Sequence, residues 1–124
     1  MKKFLVIMGC LLLVGCGQNK TRGLKMEISL RSSTSDVWRC ESNNQEIIKV
    51  TEENFIEDKN NNVGGKYQFQ FAGVSSGETS ITCDFIVDGG SINSVEYHIE
   101  VDDNQFIKYL YKSGDTAVDD PVFR

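Results

Sequence analysis

From residue 24 onward the apolar side chains fall on alternate positions, and a chain with that period has to build sheets. Leu24, Met26, Ile28 and Leu30 alternate with Lys25, Glu27, Ser29 and Arg31, which makes one dry face and one wet face. The pattern repeats in Tyr67, Phe69 and Phe71, in Ile81, Cys83, Phe85 and Val87, and in Val95, Tyr97, Ile99 and Val101, which stand opposite Glu96, His98 and Glu100. Val37-Trp38-Arg39-Cys40 and Ile47-Ile48-Lys49-Val50-Thr51 supply two further strands. Turn residues separate these runs: Ser42-Asn43-Asn44, Asn60-Asn61-Asn62, Ser75-Ser76-Gly77 and Asp88-Gly89-Gly90. No helical period interrupts residues 24–102. Strands that are apolar on one face only predict an all-β chain folded as an antiparallel β-sandwich.

The ends of the chain read differently. Met1-Lys2-Lys3 precedes an apolar run from Phe4 to Val14, and Leu13-Val14-Gly15-Cys16 closes it with a small residue before a cysteine. That is the pattern of a bacterial lipoprotein signal, and the run is shorter than the about 20 apolar residues that span a bilayer. The expected organisation is a lipoprotein signal peptide over 1–15, a lipidated tether over 16–23 beginning at acylated Cys16, a sandwich domain over 24–102 and a C-terminal extension over 103–124. The protein would then sit in the cell envelope, membrane-anchored through the lipid and facing outside the cytoplasm. In the extension, Phe106, Ile107, Leu110 and Tyr111 pair at i, i+4 between an acidic start and Gly114. This predicts a short C-terminal helix, with an extra strand as the alternative because the run is rich in aromatics. Residues 115–124 read as a loose tail.

Removing the signal takes the 124-residue chain to 109 residues, enough for one domain. Loss of Lys2 and Lys3 moves the formal charge from −5 to −7. So acidic a chain excludes nucleic acid as a partner and leaves the lipid as the only means of membrane attachment. A monomer is expected. Outside the cytoplasm the two remaining cysteines, Cys40 and Cys83, are expected to form a disulfide. Trp38 beside Cys40, with Cys83 on a later strand, is similar to immunoglobulin-type cores, in which a disulfide joins the two sheets next to a tryptophan. The sandwich is therefore expected to be immunoglobulin-like.

Catalytic chemistry is missing. His98 is the single histidine, and its alternation places it on a polar strand face between Glu96 and Glu100. Glu52, Glu53, Glu57 and Asp58 read as a solvated charge cluster. There is no phosphate loop, dinucleotide fingerprint, zinc spacing or calcium loop. No catalytic residue, metal ligand or cofactor is expected, and the chain does not read as an enzyme. Binding would then fall to loops, of which three stand out: 31–36 ahead of Trp38, 60–65 ahead of Tyr67, and 88–91 between the last two alternating runs. Alternate connections of a hairpin sandwich share an end, so these three are expected side by side.

The order of features over residues 24–102 resembles the chagasin family. A Ser/Thr loop precedes a tryptophan; a Val-Gly-Gly loop leads into alternating aromatics; Gly-Glu-Thr-Ser-Ile-Thr follows, and then a V-x-Y-x-I-x-V strand. The resemblance implies a proteinaceous inhibitor of papain-type cysteine peptidases, which occludes the active-site cleft with loops at one end of a β-sandwich. Family loop N-P-T-T-G-Y-x-W, set on Trp38, puts its second Thr on Thr34 and its first on Ser33, while Arg31-Ser32 and Ser35-Asp36 depart from it. Loop G-x-G-G falls on Asn62-Val63-Gly64-Gly65. The third family loop, R-P-W, has no counterpart in Val87-Asp88-Gly89-Gly90. The implied contacts are therefore Ser33, Thr34, Asn62, Val63, Gly64 and Gly65, in an inhibitor weaker or differently targeted than a typical member. The alternative expectation is a surface lipoprotein serving as a binding or adhesion module with an immunoglobulin-like fold and no inhibitory activity.

Overall fold

The computed structural model describes residues 21–59 and 64–124, and all regular structure among them is β-strand. The strands are β1 (Arg22–Gly23), β2 (Lys25–Ser32), β3 (Val37–Ser42), β4 (Ile48–Glu57), β5 (Gly65–Gly73), β6 (Gly77–Val87), β7 (Gly90–Val101), β8 (Ile107–Gly114) and β9 (Val122–Phe123). Two antiparallel sheets result, ordered β1-β8-β7-β6-β3 and β4-β5-β2-β9, and they pack as an immunoglobulin-like sandwich. The alternation read from the sequence is what fills the core. Met26, Ile28, Leu30, Phe69 and Phe71 come from one sheet; Trp38, Ile81, Val95, Tyr97, Ile99 and Val101 come from the other. Strand β2 runs from the pole where the chain enters, at Lys25, to the opposite pole at Ser32.

Cys40 and Cys83 are bonded, as expected, but not across the sandwich. They are direct partners in the β3–β6 ladder, so the bond lies within one sheet. The inter-sheet arrangement expected from immunoglobulin-type cores is corrected here. Strands β3 and β6 are hydrogen-bonded neighbours, so cysteines facing the same way on them meet side by side. The bond joins residues 43 apart in sequence, and the chain-entropy relation gives about 4 kcal/mol of stabilisation for such a loop. Beside it Trp38 packs on Phe85 with ring centroids 5.1 Å apart.

The C-terminal helix does not form; residues 107–114 are strand β8, paired to β7. The register shifts between His98 and Ile99, where β8 carries an extra residue, Leu110. The helix-like spacing came from Leu110 and Tyr111, which are both exposed on the strand and do not share the buried side of Ile107. The bulge brings Tyr111 opposite His98, and the two rings stack at 4.2 Å.

Nor is the tail loose. Phe123, only 5% exposed, pairs with Met26, and the Arg124 backbone exchanges hydrogen bonds with Lys25. The link between β8 and β9 is held from below. Tyr97 Oη, on a fully buried side chain, donates to the Asp119 carbonyl at 3.2 Å, and burial raises that phenol's pKa well above normal. Tyr109 Oη donates to Asp120 at 3.1 Å, and Lys112 Nζ lies 2.9 Å from the same carboxylate. A buried phenol needs a partner, and the tail carbonyl supplies it.

Two outcomes follow from this strap. Phe123→Ala should cost about 3 kcal/mol in urea denaturation; a loss under about 1 kcal/mol would mean the last strand does not support the core. Lys112 holds the Asp120 carboxyl below its ordinary pKa of 3.8. A carboxylate with a lowered folded-state pKa stabilises above its unfolded value and loses that contribution as the pH falls. Asp120→Asn should therefore lower the unfolding midpoint at pH 7, and the gap should close as the pH drops below about 4. A gap independent of pH would exclude the ion pair as its cause.

Candidate functional site

Register brings the three loops together at one pole. Ser32 at the end of β2 is the partner of Gly65 at the start of β5, so the β2–β3 and β4–β5 connections leave side by side. Val37 at the start of β3 is the partner of Ile86 near the end of β6, so the β6–β7 turn lies at the same pole. Asn62 and Val63 lie outside the described residues, as does Cys16; Ser33, Thr34, Gly64 and Gly65 are placed.

The first loop is closed by short-range hydrogen bonds. Buried Ser32 donates its hydroxyl to the Thr34 carbonyl at 3.1 Å and accepts the Thr34 N–H at 3.3 Å. Thr34 Oγ1 donates to Asp36 Oδ2 at 2.7 Å and accepts the Asp36 N–H at 3.2 Å. Underneath, Trp38 Nε1 donates to the Arg31 carbonyl at 2.9 Å and pins the loop's base. Trp38 is 8% exposed, so it is scaffold and not contact surface. The apex, Ser33-Thr34-Ser35, is exposed. Such a loop is rigid for its size because each turn of backbone is tied to a side chain two residues away.

Gly64 and Gly65 form the neck of the second loop, and each is needed there for its own packing. Gly64 has φ +83°, and a Cβ on it would stand 2.3 Å from the Ser32 carbonyl oxygen. A Cβ on Gly65 would stand 2.2 Å from the Ile56 carbonyl oxygen and 2.9 Å from the Phe55 ring. The Asp58 N–H donates to the Gly64 carbonyl at 3.1 Å, and the Asp58 carboxylate lies 4.0 Å from Arg31. The first two loops therefore touch through backbone, and the glycines permit the contact.

The third loop is only Asp88-Gly89, with φ +53° and +83° between the partners Val87 and Gly90. That is a tight hairpin turn of the kind Asp-Gly favours. It carries no arginine and no aromatic residue. Below it, a bulge between Phe85 and Ile86 leaves Ile92 as the extra residue, 59% exposed.

Nothing at this pole resembles a reaction centre. His98 lies on the outer face of the five-stranded sheet, 3.1 Å from Glu96 and 3.0 Å from Ser113. Among the described residues no cluster of three or more His, Cys, Asp or Glu side chains could hold a metal ion. Two contributors were not legible beforehand. Asp36 stands where the family pattern has Tyr and fixes Thr34, and Phe55 covers Gly65. The first required knowing the loop's hydrogen bonds, the second which strand lies at the sheet's edge.

A rigid pole of backbone-packed loops on an immunoglobulin-like sandwich is a form suited to binding another protein. The family model Chagasin family peptidase inhibitor I42 matches residues 19–109. The chain belongs to this family and inhibits papain-type cysteine peptidases. Among solved structures it is similar to the cysteine protease inhibitor EhICP2 from Entamoeba histolytica, at 18% identity and a TM-score of 0.47, over 59% of this chain and 73% of that one. No curated protein matches the chain.

Glycine substitutions separate backbone strain from the contact between loops. Gly89 shares the φ of Gly64, but a Cβ placed on it would meet nothing within 4 Å. Gly89→Ala should cost about 1–2 kcal/mol for the left-handed backbone alone. Gly64→Ala should cost more, because its Cβ meets the Ser32 backbone. Equal losses in chemical denaturation would show that the two loops do not press on each other.

Proposed function

We propose that the loop pole is the inhibitory surface, and that it blocks the peptidase cleft by occlusion. The observation that carries this is the direct pairing of Ser32 with Gly65, which makes one wedge of the first two loops. Ser33 and Thr34 form its centre and Gly64 and Gly65 its flank, with Asn62 and Val63 as the further contacts that the family pattern implies. The backbone of the flank approaches the catalytic cysteine closely because glycine presents no Cβ. A wedge already held by Ser32, Asp36 and Trp38 loses little conformational freedom on binding, which favours affinity. One inhibitor chain acts on one peptidase. The third turn is too short to wrap the far side of a cleft, so affinity for papain is lower than for a peptidase whose rim suits the first two loops.

Leu13-Val14-Gly15-Cys16 supports a lipid anchor at Cys16 and action in the cell envelope. The expected tether over 16–23 is shorter than the sequence suggested, because Arg22–Gly23 pair with β8 as strand β1 and belong to the domain.

Titration of papain with the protein tests the surface. Reversible inhibition without cleavage of the inhibitor is expected, and Ser33→Arg at the exposed apex should weaken it at least roughly tenfold with no change in unfolding midpoint. Full inhibition by Ser33→Arg would place the contact elsewhere.

A further inference from the structure

Strand β4 is the outer strand of its sheet, and every residue from Thr51 to Glu57 is exposed. Glu52, Glu53 and Glu57 suit such an edge, since charge there discourages pairing with another chain. Phe55 and Ile56 do not: each is 49% exposed, and they are adjacent. Isolated exposed apolar residues are common and need no explanation. This pair differs in being held. Phe55 is the register partner of Tyr67, and the two rings lie 4.7 Å apart at 42°. Tyr67 is in turn the partner of Leu30, which is buried, so a row of apolar side chains leads from the core out to Phe55. The edge of the Phe55 ring also lies over Gly65, at a place where any side chain on that residue would strike it.

The row ends two residues short of the loop pole, because Glu57 is the partner of Gly65 and Gly65 of Ser32. Phe55 is therefore continuous with the inhibitory wedge on the side of the second loop. The opposite side has only the Asp88-Gly89 turn, which offers no aromatic residue. Interfaces draw most of their energy from a few large, preorganised side chains near such a centre.

We propose that Phe55, held by Tyr67 and Gly65, is the aromatic anchor of the peptidase interface and seats in an apolar recess on the rim of the cleft, beside the second loop. The proposal rests on the loop pole being the inhibitory surface. It assigns the second glycine of the loop a further role, which is to leave room for the anchor. It also makes Phe55 a specificity-determining residue, since rims of different peptidases differ in apolar surface.

The test uses the full chain, with papain as the probe. Phe55→Ala should speed dissociation of the complex by roughly 30-fold, while Phe55→Trp, which keeps a large flat ring, should stay within about threefold of the unsubstituted protein. The unfolding midpoint of Phe55→Ala should move little, because half the ring is already in water. An unchanged dissociation rate for Phe55→Ala would overturn the proposal. So would equal losses for Ala and Trp accompanied by a falling midpoint, which would make the ring structural. If Ser33→Arg abolishes inhibition and Phe55→Ala leaves it intact, the loop pole stands and only the anchor fails. If the unsubstituted chain does not inhibit, both fail together.

Discussion

Strand β2 paired against β5 is the ladder on which the other features of this protein depend. Its register sets Met26, Ile28 and Leu30 beside Phe71, Phe69 and Tyr67, so one run of partners forms a wall of the core. The same register ends with Ser32 beside Gly65, so the final rung of the ladder is also the join between two loops. A slip of one residue would turn the apolar set to solvent and separate the loops at once. Core packing thus enforces the geometry of the loop pole, and the two cannot vary independently.

The opposing sheet contributes rigidity by a different route. Its long β6–β7 hairpin is tied to β3 by the Cys40–Cys83 bond, and Trp38 on β3 hydrogen-bonds back to Arg31 at the base of the first loop. That indole spans from one sheet to the other. The C-terminal segment then closes the open flank of the sandwich, leaving β8 in one sheet and adding β9 to the other. Tyr97, Lys112 and Asp120 hold that crossing where no ladder is available. Shape at the pole is therefore fixed from beneath and from the side before any partner arrives.

Alternating runs such as 26–30 and 95–101 declared both their strands and their buried faces, whereas Leu24, expected on the same dry face, lies ahead of β2 and is 50% exposed. The pattern failed where strands are irregular. Leu110 sits at a bulge and Tyr111 beside it is exposed, so the apolar i, i+4 pairs of Phe106 to Tyr111 did not mark a buried face. The pairing of Cys40 with Cys83 was legible, but its placement within one sheet depended on strand order, which local patterns do not encode. Phe123 was missed for a related reason: a two-residue strand is too short to show a period, and only Met26 waiting in β2 gives it meaning. At the pole, Thr34 and the two glycines were legible through family resemblance. Asp36 was legible only as a departure from the family pattern, although it provides the acceptor that holds Thr34.

The direction of β2 has a consequence for how the protein meets its target. After β1 the chain starts β2 at the Lys25 pole and reaches the loops at the Ser32 pole seven residues later, about 23 Å away. The Thr21 carbonyl, ahead of β1, accepts the Tyr109 N–H nearer that first pole, so whatever is joined there meets the sandwich away from the wedge.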